Sequence, residues 1–167
     1  MSKKIKIIFL IIFSILIFCT IYFSIYYKNL VRENFDAVEI LKNTFSAIKS
    51  NNSELDIHSI PKYNYKNQDY VGYLVINSDE VAIKSEDLKN NLIKGNIFEY
   101  SFSHAKEYGE SDTITFFATD GNAYKYTIKN IIHASNLESI DSEKYSLTIA
   151  IRNPLNFEWI VVQGKGL

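Results

Sequence analysis

The residue types best suited to chemistry stand near the C-terminal end of this chain, around Arg152. Residues 147–152 alternate between apolar and other side chains, a period-two pattern that predicts a half-buried strand ending on the arginine. A turn follows, and the next apolar run begins at Glu158 and Trp159. Arg152 can bind the carboxylate of a partner through two parallel hydrogen bonds. Alternatively it forms a surface ion pair with Glu158, which contributes at most about 1 kcal/mol.

Other catalytic and metal-binding patterns are weak. His58, His104 and His133 are scattered without the spacing of metal ligands, so neither a metal nor a cofactor is predicted. No glycine-rich phosphate loop and no Gly-x-Ser-x-Gly motif is present. An enzyme that uses His104 with a carboxylate is one hypothesis, although no spacing fixes the geometry of such a pair. The sequence pattern marks no two carboxylates as a buried pair. The carboxylates considered include Asp79, Glu80, Glu86, Asp87, Glu99 and Glu107.

The composition excludes several classes of protein. Of the 167 residues, 47% are hydrophobic and 22% charged, which is typical of a folded domain rather than a disordered chain. Aromatic residues reach 14% and favour strands. The formal net charge of −1 comes without a basic stripe, so no nucleic-acid partner is predicted.

The N-terminal segment predicts a single membrane anchor. Three lysines stand among residues 1–6, and residues 7–27 contain no charge. At about 1.5 Å per residue, this apolar stretch spans the roughly 30 Å hydrocarbon core of a bilayer. The lysines predict a cytoplasmic N-terminus and an extracytoplasmic body. Because the stretch is long and has no small-x-small site, we expect an uncleaved anchor. The only cysteine, Cys19, lies within it, so the body has no thiol nucleophile.

Residues 28–69 predict a helical stalk followed by a linker. Residues 50–69 are polar and predict the linker. The stalk packs on the domain or, alternatively, associates with another copy. Its helix is predicted from apolar residues at helical spacing: Phe35, Val38, Leu41, Phe45 and Ile48.

Residues 70–167 predict a mainly β domain. Residues 112–119 and 122–132 flank Asp120 and Gly121, which is typical of a β-hairpin. Residues 85–95 predict a short helix that begins at a serine and stops at a glycine. Short strands with few helical segments predict a small mixed sheet in a barrel or sandwich.

Four segments follow one another along the body of the chain: VGYLVI (71–76), VAIKSEDLKNNLIKG (81–95), DTITFFATDGNAYKYTIKNI (112–131) and YSLTIAIRNPLNFEWIVVQG (145–164). Taken in this order, they resemble the successive strands of a sortase. Sortases are the membrane-anchored cysteine transpeptidases of Gram-positive bacteria. The resemblance implies a small sortase-like β-barrel with short helices, preceded by a transmembrane helix.

The resemblance also implies a catalytic set that this chain does not match. In the family, a cysteine thiolate attacks the Thr-Gly bond of a sorting signal, a histidine transfers protons and an arginine stabilises the oxyanion. The cysteine ends the penultimate strand, where this chain has Arg152, and the arginine begins the last strand, at residues 157–159 here. The family's Gly-His pair is missing from residues 95–112, where His104 is the one histidine. Without a thiolate, the covalent mechanism has no nucleophile.

The sequence therefore predicts a catalytically inactive sortase-like protein, held outside the cell membrane by a single span. We expect it to act as a binding, assembly or regulatory module for a protein or peptide partner at the cell surface. The alternative is a pilin-like or other envelope assembly subunit, although its usual Gly-Phe processing site is missing. The candidate groove residues are Arg152, Glu158, Trp159 and His104.

Overall fold

The computed structural model describes residues 3–45, 49–51, 55, 59–96, 102–138, 140–142 and 144–167. Three residues singled out in the sequence, Ile48, His58 and Glu99, lie outside these ranges. Within the described ranges, one long helix precedes ten strands. The helix α1 is Lys3–Thr44, and the strands are β1 (Lys49–Asn51), β2 (Tyr63–Tyr65), β3 (Gln68–Ile76), β4 (Asp79–Lys84), β5 (Leu88–Lys89), β6 (Leu92–Asn96), β7 (Thr113–Ala118), β8 (Asn122–Ala134), β9 (Leu147–Arg152) and β10 (Trp159–Gly166).

The strands form one mixed sheet that curls into a half-barrel. Its order is β2-β3-β7-β8-β10-β9-β6-β5, with β1 beside β8 and β4 beside β3. Strand β6 runs parallel to β9, and β9 runs antiparallel to β10. The last residues of β6 and β9 therefore lie beside the first residue of β10. The predicted fold class is confirmed, and so is the β7–β8 hairpin around Asp120 and Gly121.

Strand β3 is buried on both faces, which explains its continuous apolar run. Leu74 and Ile76 belong to the barrel core, whereas Tyr70 and Tyr73 pack in a second core under α1. A bulge at Gly72 allows this change of face, and its φ of 152° is a conformation that other residues rarely adopt. A Cβ at Gly72 would also overlap the carbonyl oxygen of Phe117 on β7.

Helix α1 continues without a break from the apolar segment onto the sheet. Its residues Ala37, Val38 and Leu41 are buried against Tyr70 and Tyr73. This packing supports the stalk interpretation in which the helix covers the domain.

A side chain of α1 also covers the exposed edge of β4. The Asn34 side-chain amide donates to the carbonyl of Glu80 over 3.1 Å, and its oxygen accepts from the Ala82 N–H over 3.0 Å. These bonds satisfy backbone groups that an edge strand otherwise leaves unpaired. The helix is therefore joined to the sheet by polar contacts as well as by the apolar core.

Two predicted segments differ from the structure. The linker predicted over residues 50–69 contains β2 and the end of β1, which pair with β3 and β8. The helix predicted over residues 85–95 is instead β5, a turn and β6. Leu88 and Ile93 are buried in the barrel core, and β6 gains backbone hydrogen bonds with β9. Tertiary pairing therefore overrides the local helix signals.

Strand β9 is more deeply buried than its alternating pattern predicted. Residues 147–151 are all buried, and only the terminal Arg152 is exposed. The strand is covered on both faces, so small and polar residues such as Ala150 and Thr148 also lie inside.

Candidate functional site

The end of β9 brings three polar or aromatic residues into register. Asn96 at the end of β6 pairs with Arg152, and Arg152 pairs with Trp159 at the start of β10. We call these three residues the strand-end site. Two of the candidates predicted from sequence, Arg152 and Trp159, therefore lie directly opposite each other, while Asn96 was not singled out.

Arg152 stacks on aromatic rings rather than pairing with an acid. Its guanidinium carbon lies 5.6 Å from the centre of the Trp159 ring and 5.9 Å from that of Phe157. Glu158 instead accepts a hydrogen bond from the Asn156 side chain over 2.6 Å. The Arg152–Glu158 ion pair considered from sequence is not formed. An exposed guanidinium that lies over two rings and forms no described ion pair can bind a carboxylate.

His104 lies in a different place, in a cluster built around a buried carboxylate. Asp79 is only 3% exposed, at the start of β4. Its oxygens accept hydrogen bonds from the backbone N–H of His104 (3.0 Å), the Ser103 hydroxyl (3.1 Å) and the Tyr108 hydroxyl (2.5 Å). His104 Nδ1 lies 2.7 Å from Asp79 Oδ1. We call these four residues the Asp79 cluster.

The chain positions the Asp79 cluster by burying apolar residues on either side of His104. Phe102 is 1% exposed and lies against Gly95 of β6, where any Cβ would overlap its ring. Ala105 and Tyr108 are also buried in the barrel core. A 3-10 turn at Ala105–Glu107 connects them, so His104 is held at the surface between buried neighbours.

The cluster shifts the protonation equilibria of two of its members. The hydrogen bond and charge of Asp79 raise the pKa of His104 above its ordinary value of 6.5, which favours the imidazolium. Burial, followed by the hydrogen bond to Asp79, raises the pKa of Tyr108 above its ordinary value, so this residue stays a neutral donor.

We expect the stability of the protein to depend on pH through His104. Because its folded pKa is raised, its pairing with Asp79 stabilises the protein fully below about pH 6 and loses that effect as pH rises through the folded pKa. The difference in unfolding free energy between the wild type and His104→Gln should therefore shrink as the pH rises above the ordinary histidine pKa of about 6.5. This difference is measured by urea unfolding of both proteins as full chains in detergent, with Trp159 fluorescence as the signal. If the difference in unfolding free energy grew with pH, the stabilising pairing of protonated His104 with Asp79 would be contradicted.

A groove of about 590 Å³ lies beside the cluster, between α1 and the turn that joins β3 to β4. His104 and Ser78 line it, and the His104 side chain is 43% exposed. Both neighbouring hydroxyls, Ser78 and Ser103, contact Nδ1, and no described residue forms a hydrogen bond with Nε2. The carboxylate that the enzyme hypothesis requires is present here, because Asp79 contacts Nδ1 of His104. With Nδ1 engaged, Nε2 can form a hydrogen bond with a ligand or exchange a proton with it.

The structure divides the predicted site residues between two places. Arg152, Glu158 and Trp159 lie at the turn between β9 and β10, and no described hydrogen bond or ion pair joins them to His104. Sequence reasoning named Asp79 only as one carboxylate among several. Its burial depends on partners up to 29 residues away, so no local signal marked it. Among described residues, no group of three or more His, Cys, Asp or Glu side chains could hold a metal ion.

Comparison with solved structures identifies the fold. A Clostridium perfringens Sortase D5 transpeptidase superposes with a TM-score of 0.52 at 14% identity, covering 80% of this chain and 98% of that one. Streptococcus pneumoniae Sortase C gives 0.48 at 15% identity, covering 84% and 89%, and Streptococcus agalactiae sortase C1 gives 0.47 at 13%, covering 62% and 70%. Neither a protein-family model nor a curated protein matches the chain.

The chain has a sortase-like fold, as its sequence predicted, and the Sortase D5 comparison carries this conclusion. Helix α1 is also long and apolar enough to cross a membrane. Its most apolar window has a mean hydropathy of 2.7, and none of that window is buried in the protein.

Proposed function

From this fold we propose that the chain is a membrane-anchored binding, assembly or regulatory module at the Gram-positive cell surface, and that it does not catalyse transpeptidation. The observation that carries the proposal is the strand-end site. Where the sortase resemblance implies a cysteine at the end of the penultimate strand, β9 ends on Arg152. The only cysteine, Cys19, lies in the apolar part of α1. An arginine cannot supply the nucleophile that a covalent mechanism needs.

The two neighbours of Arg152 support the same conclusion. Asn96 lies opposite Arg152 and belongs to residues 95–112, from which the Gly-His pair that the resemblance implies is missing. Trp159 begins the last strand, where the resemblance implies an arginine. An asparagine does not titrate near neutral pH, and a tryptophan carries no charge for an oxyanion. All three positions therefore carry side chains suited to binding rather than to catalysis.

The proposed orientation follows from the ends of the apolar helix. The three lysines that precede the apolar residues favour a cytoplasmic N-terminus, so the sheet would stand outside the membrane. There, Arg152 would meet the carboxylates of surface proteins or peptides.

One assay tests both parts of this proposal. The full chain in detergent is incubated with a labelled peptide that contains the Thr-Gly bond of a sorting signal and ends in a free carboxylate. We expect no cleavage by mass spectrometry, and binding by fluorescence anisotropy that Arg152→Gln weakens about tenfold, the effect of losing a charge-assisted pair. Lys165→Gln, an exposed charge change on β10, serves as the control. Cleavage by the wild-type chain would overturn inactivity, and equal binding by both variants would overturn the role of Arg152.

The pilin-like alternative is favoured by one feature, the continuous α1. It runs from an apolar segment into a half that packs on the sheet. Mass spectrometry of the native N-terminus distinguishes the two proposals, because a processed subunit would have lost its leader residues.

A further inference from the structure

The groove beside His104 begins where the apolar segment of α1 ends. Lys28 and Arg32 of the helix line one wall, and Ser78 and His104 line the other. Lys28 directly follows the uncharged residues 7–27. At about 1.5 Å per helical residue, Lys28 and Arg32 lie about 1.5 Å and 7.5 Å beyond Tyr27. The headgroup layer of one leaflet is about 5–7 Å thick, so the groove opens at the depth of lipid phosphates.

The charge of this groove suits an anion. Among described residues, neither Lys28 nor Arg32 forms an ion pair. Three acidic residues on or beside the helix are already paired with lysines, and Asp79, which also lines the groove, is paired with His104. Glu80, which also lines the groove, binds Lys42 through both oxygens at 2.6 Å. The other two pairs are Glu33 with Lys84 and Asp36 with Lys66. The groove therefore keeps two uncompensated cations.

The Asp79 cluster supplies a hydrogen bond at the same place. Asp79 engages Nδ1 of His104 and leaves Nε2 without a described partner. The raised pKa of His104 favours the imidazolium, in which Nε2 carries a proton. Beside these polar groups, Phe35 of the groove is 67% exposed, an apolar surface fit for the hydrocarbon part of a lipid.

We infer that this groove binds the phosphate group of a membrane lipid, with Lys28 and Arg32 supplying charge and Nε2 of His104 supplying a hydrogen bond. The inference rests on the proposed membrane anchoring, because anchoring brings the groove to the headgroups. A bound lipid would hold the domain close to the bilayer and fix its orientation about α1. The strand-end site would then face surface partners in a defined direction.

Short-chain lipids test the inference with the full chain in dodecyl maltoside, a detergent without phosphate. Calorimetric titration compares dihexanoyl-phosphatidylglycerol, dihexanoylglycerol and inorganic phosphate. We expect phosphatidylglycerol to bind at least tenfold more tightly than either of the other two. Arg32→Gln should weaken its binding about tenfold, because one charge-assisted contact is lost. His104→Gln should weaken it several-fold. Lys129→Gln, an exposed charge change on β8, should have no effect.

The outcomes separate the inference from its alternatives. Equal binding of dihexanoylglycerol, or a loss in Lys129→Gln as large as in Arg32→Gln, would overturn the phosphate site. Inorganic phosphate that binds as tightly as the lipid would overturn the assignment to lipid. Unchanged Trp159 fluorescence in each variant shows that the fold is kept. Extraction of native membranes with alkaline carbonate tests anchoring separately, since release of the chain would refute the anchor while leaving the detergent result intact.

Discussion

Replacing Asp79 with alanine should destabilise the protein by about 3–4 kcal/mol. The change leaves the buried Tyr108 hydroxyl without its acceptor, which costs about 1–3 kcal/mol. It also removes the acceptor of Ser103 and of the His104 backbone N–H. Because these donors share one carboxylate, their losses do not simply add. Urea unfolding of the full chain in detergent, monitored by its only tryptophan, measures the change.

Two comparison variants make this prediction specific. Glu107→Ala removes an exposed carboxylate from the same segment and should change the free energy of unfolding by no more than about 0.5 kcal/mol. The second comparison is the double variant Asp79→Ala/Tyr108→Phe. Its loss of unfolding free energy should be smaller than the sum of the losses in the two single variants, because phenylalanine leaves no buried hydroxyl unsatisfied. A loss below about 1 kcal/mol for Asp79→Ala would show that the cluster does not hold the segment in place.

Replacing Phe102 with alanine should cost about 3–5 kcal/mol, the usual range for a buried phenylalanine. Phe102 is 1% exposed, and its ring fills the space that Gly95 leaves on β6. The variant opens a cavity at the point where the segment carrying His104 joins the core. We therefore expect it to weaken lipid binding in the groove as well as stability.

The matched control for this variant is Phe157→Ala, which truncates a phenylalanine that is 67% exposed. It should change the free energy of unfolding by no more than about 0.5 kcal/mol. Gly95→Ala approaches the same contact from the other side, since its Cβ would push against the Phe102 ring and cost about 1–3 kcal/mol. Equal losses in Phe102→Ala and Phe157→Ala would contradict the packing described.

The candidate site could be predicted only in part. Arg152 stood out because an arginine ends an apolar strand, and its neighbour Trp159 begins the next one. Asn96 did not stand out, because its place beside Arg152 depends on parallel pairing between β6 and β9, whose paired residues are 56 positions apart. The residues next to Asp79 in the sequence do not indicate that it is buried, because its hydrogen-bond donors come from residues 24 to 29 positions away.

By itself, the sequence determined the apolar span, the β7–β8 hairpin and the overall strand pattern. These features depend on residues close together in the chain, so hydrophobic length, turn chemistry and alternation predict them. Tertiary structure decided that residues 85–95 form strands, that α1 covers β3 and β4, and that Asp79 is buried beside His104. Burial and strand pairing are set by distant partners, whose combined contacts outweigh local preference.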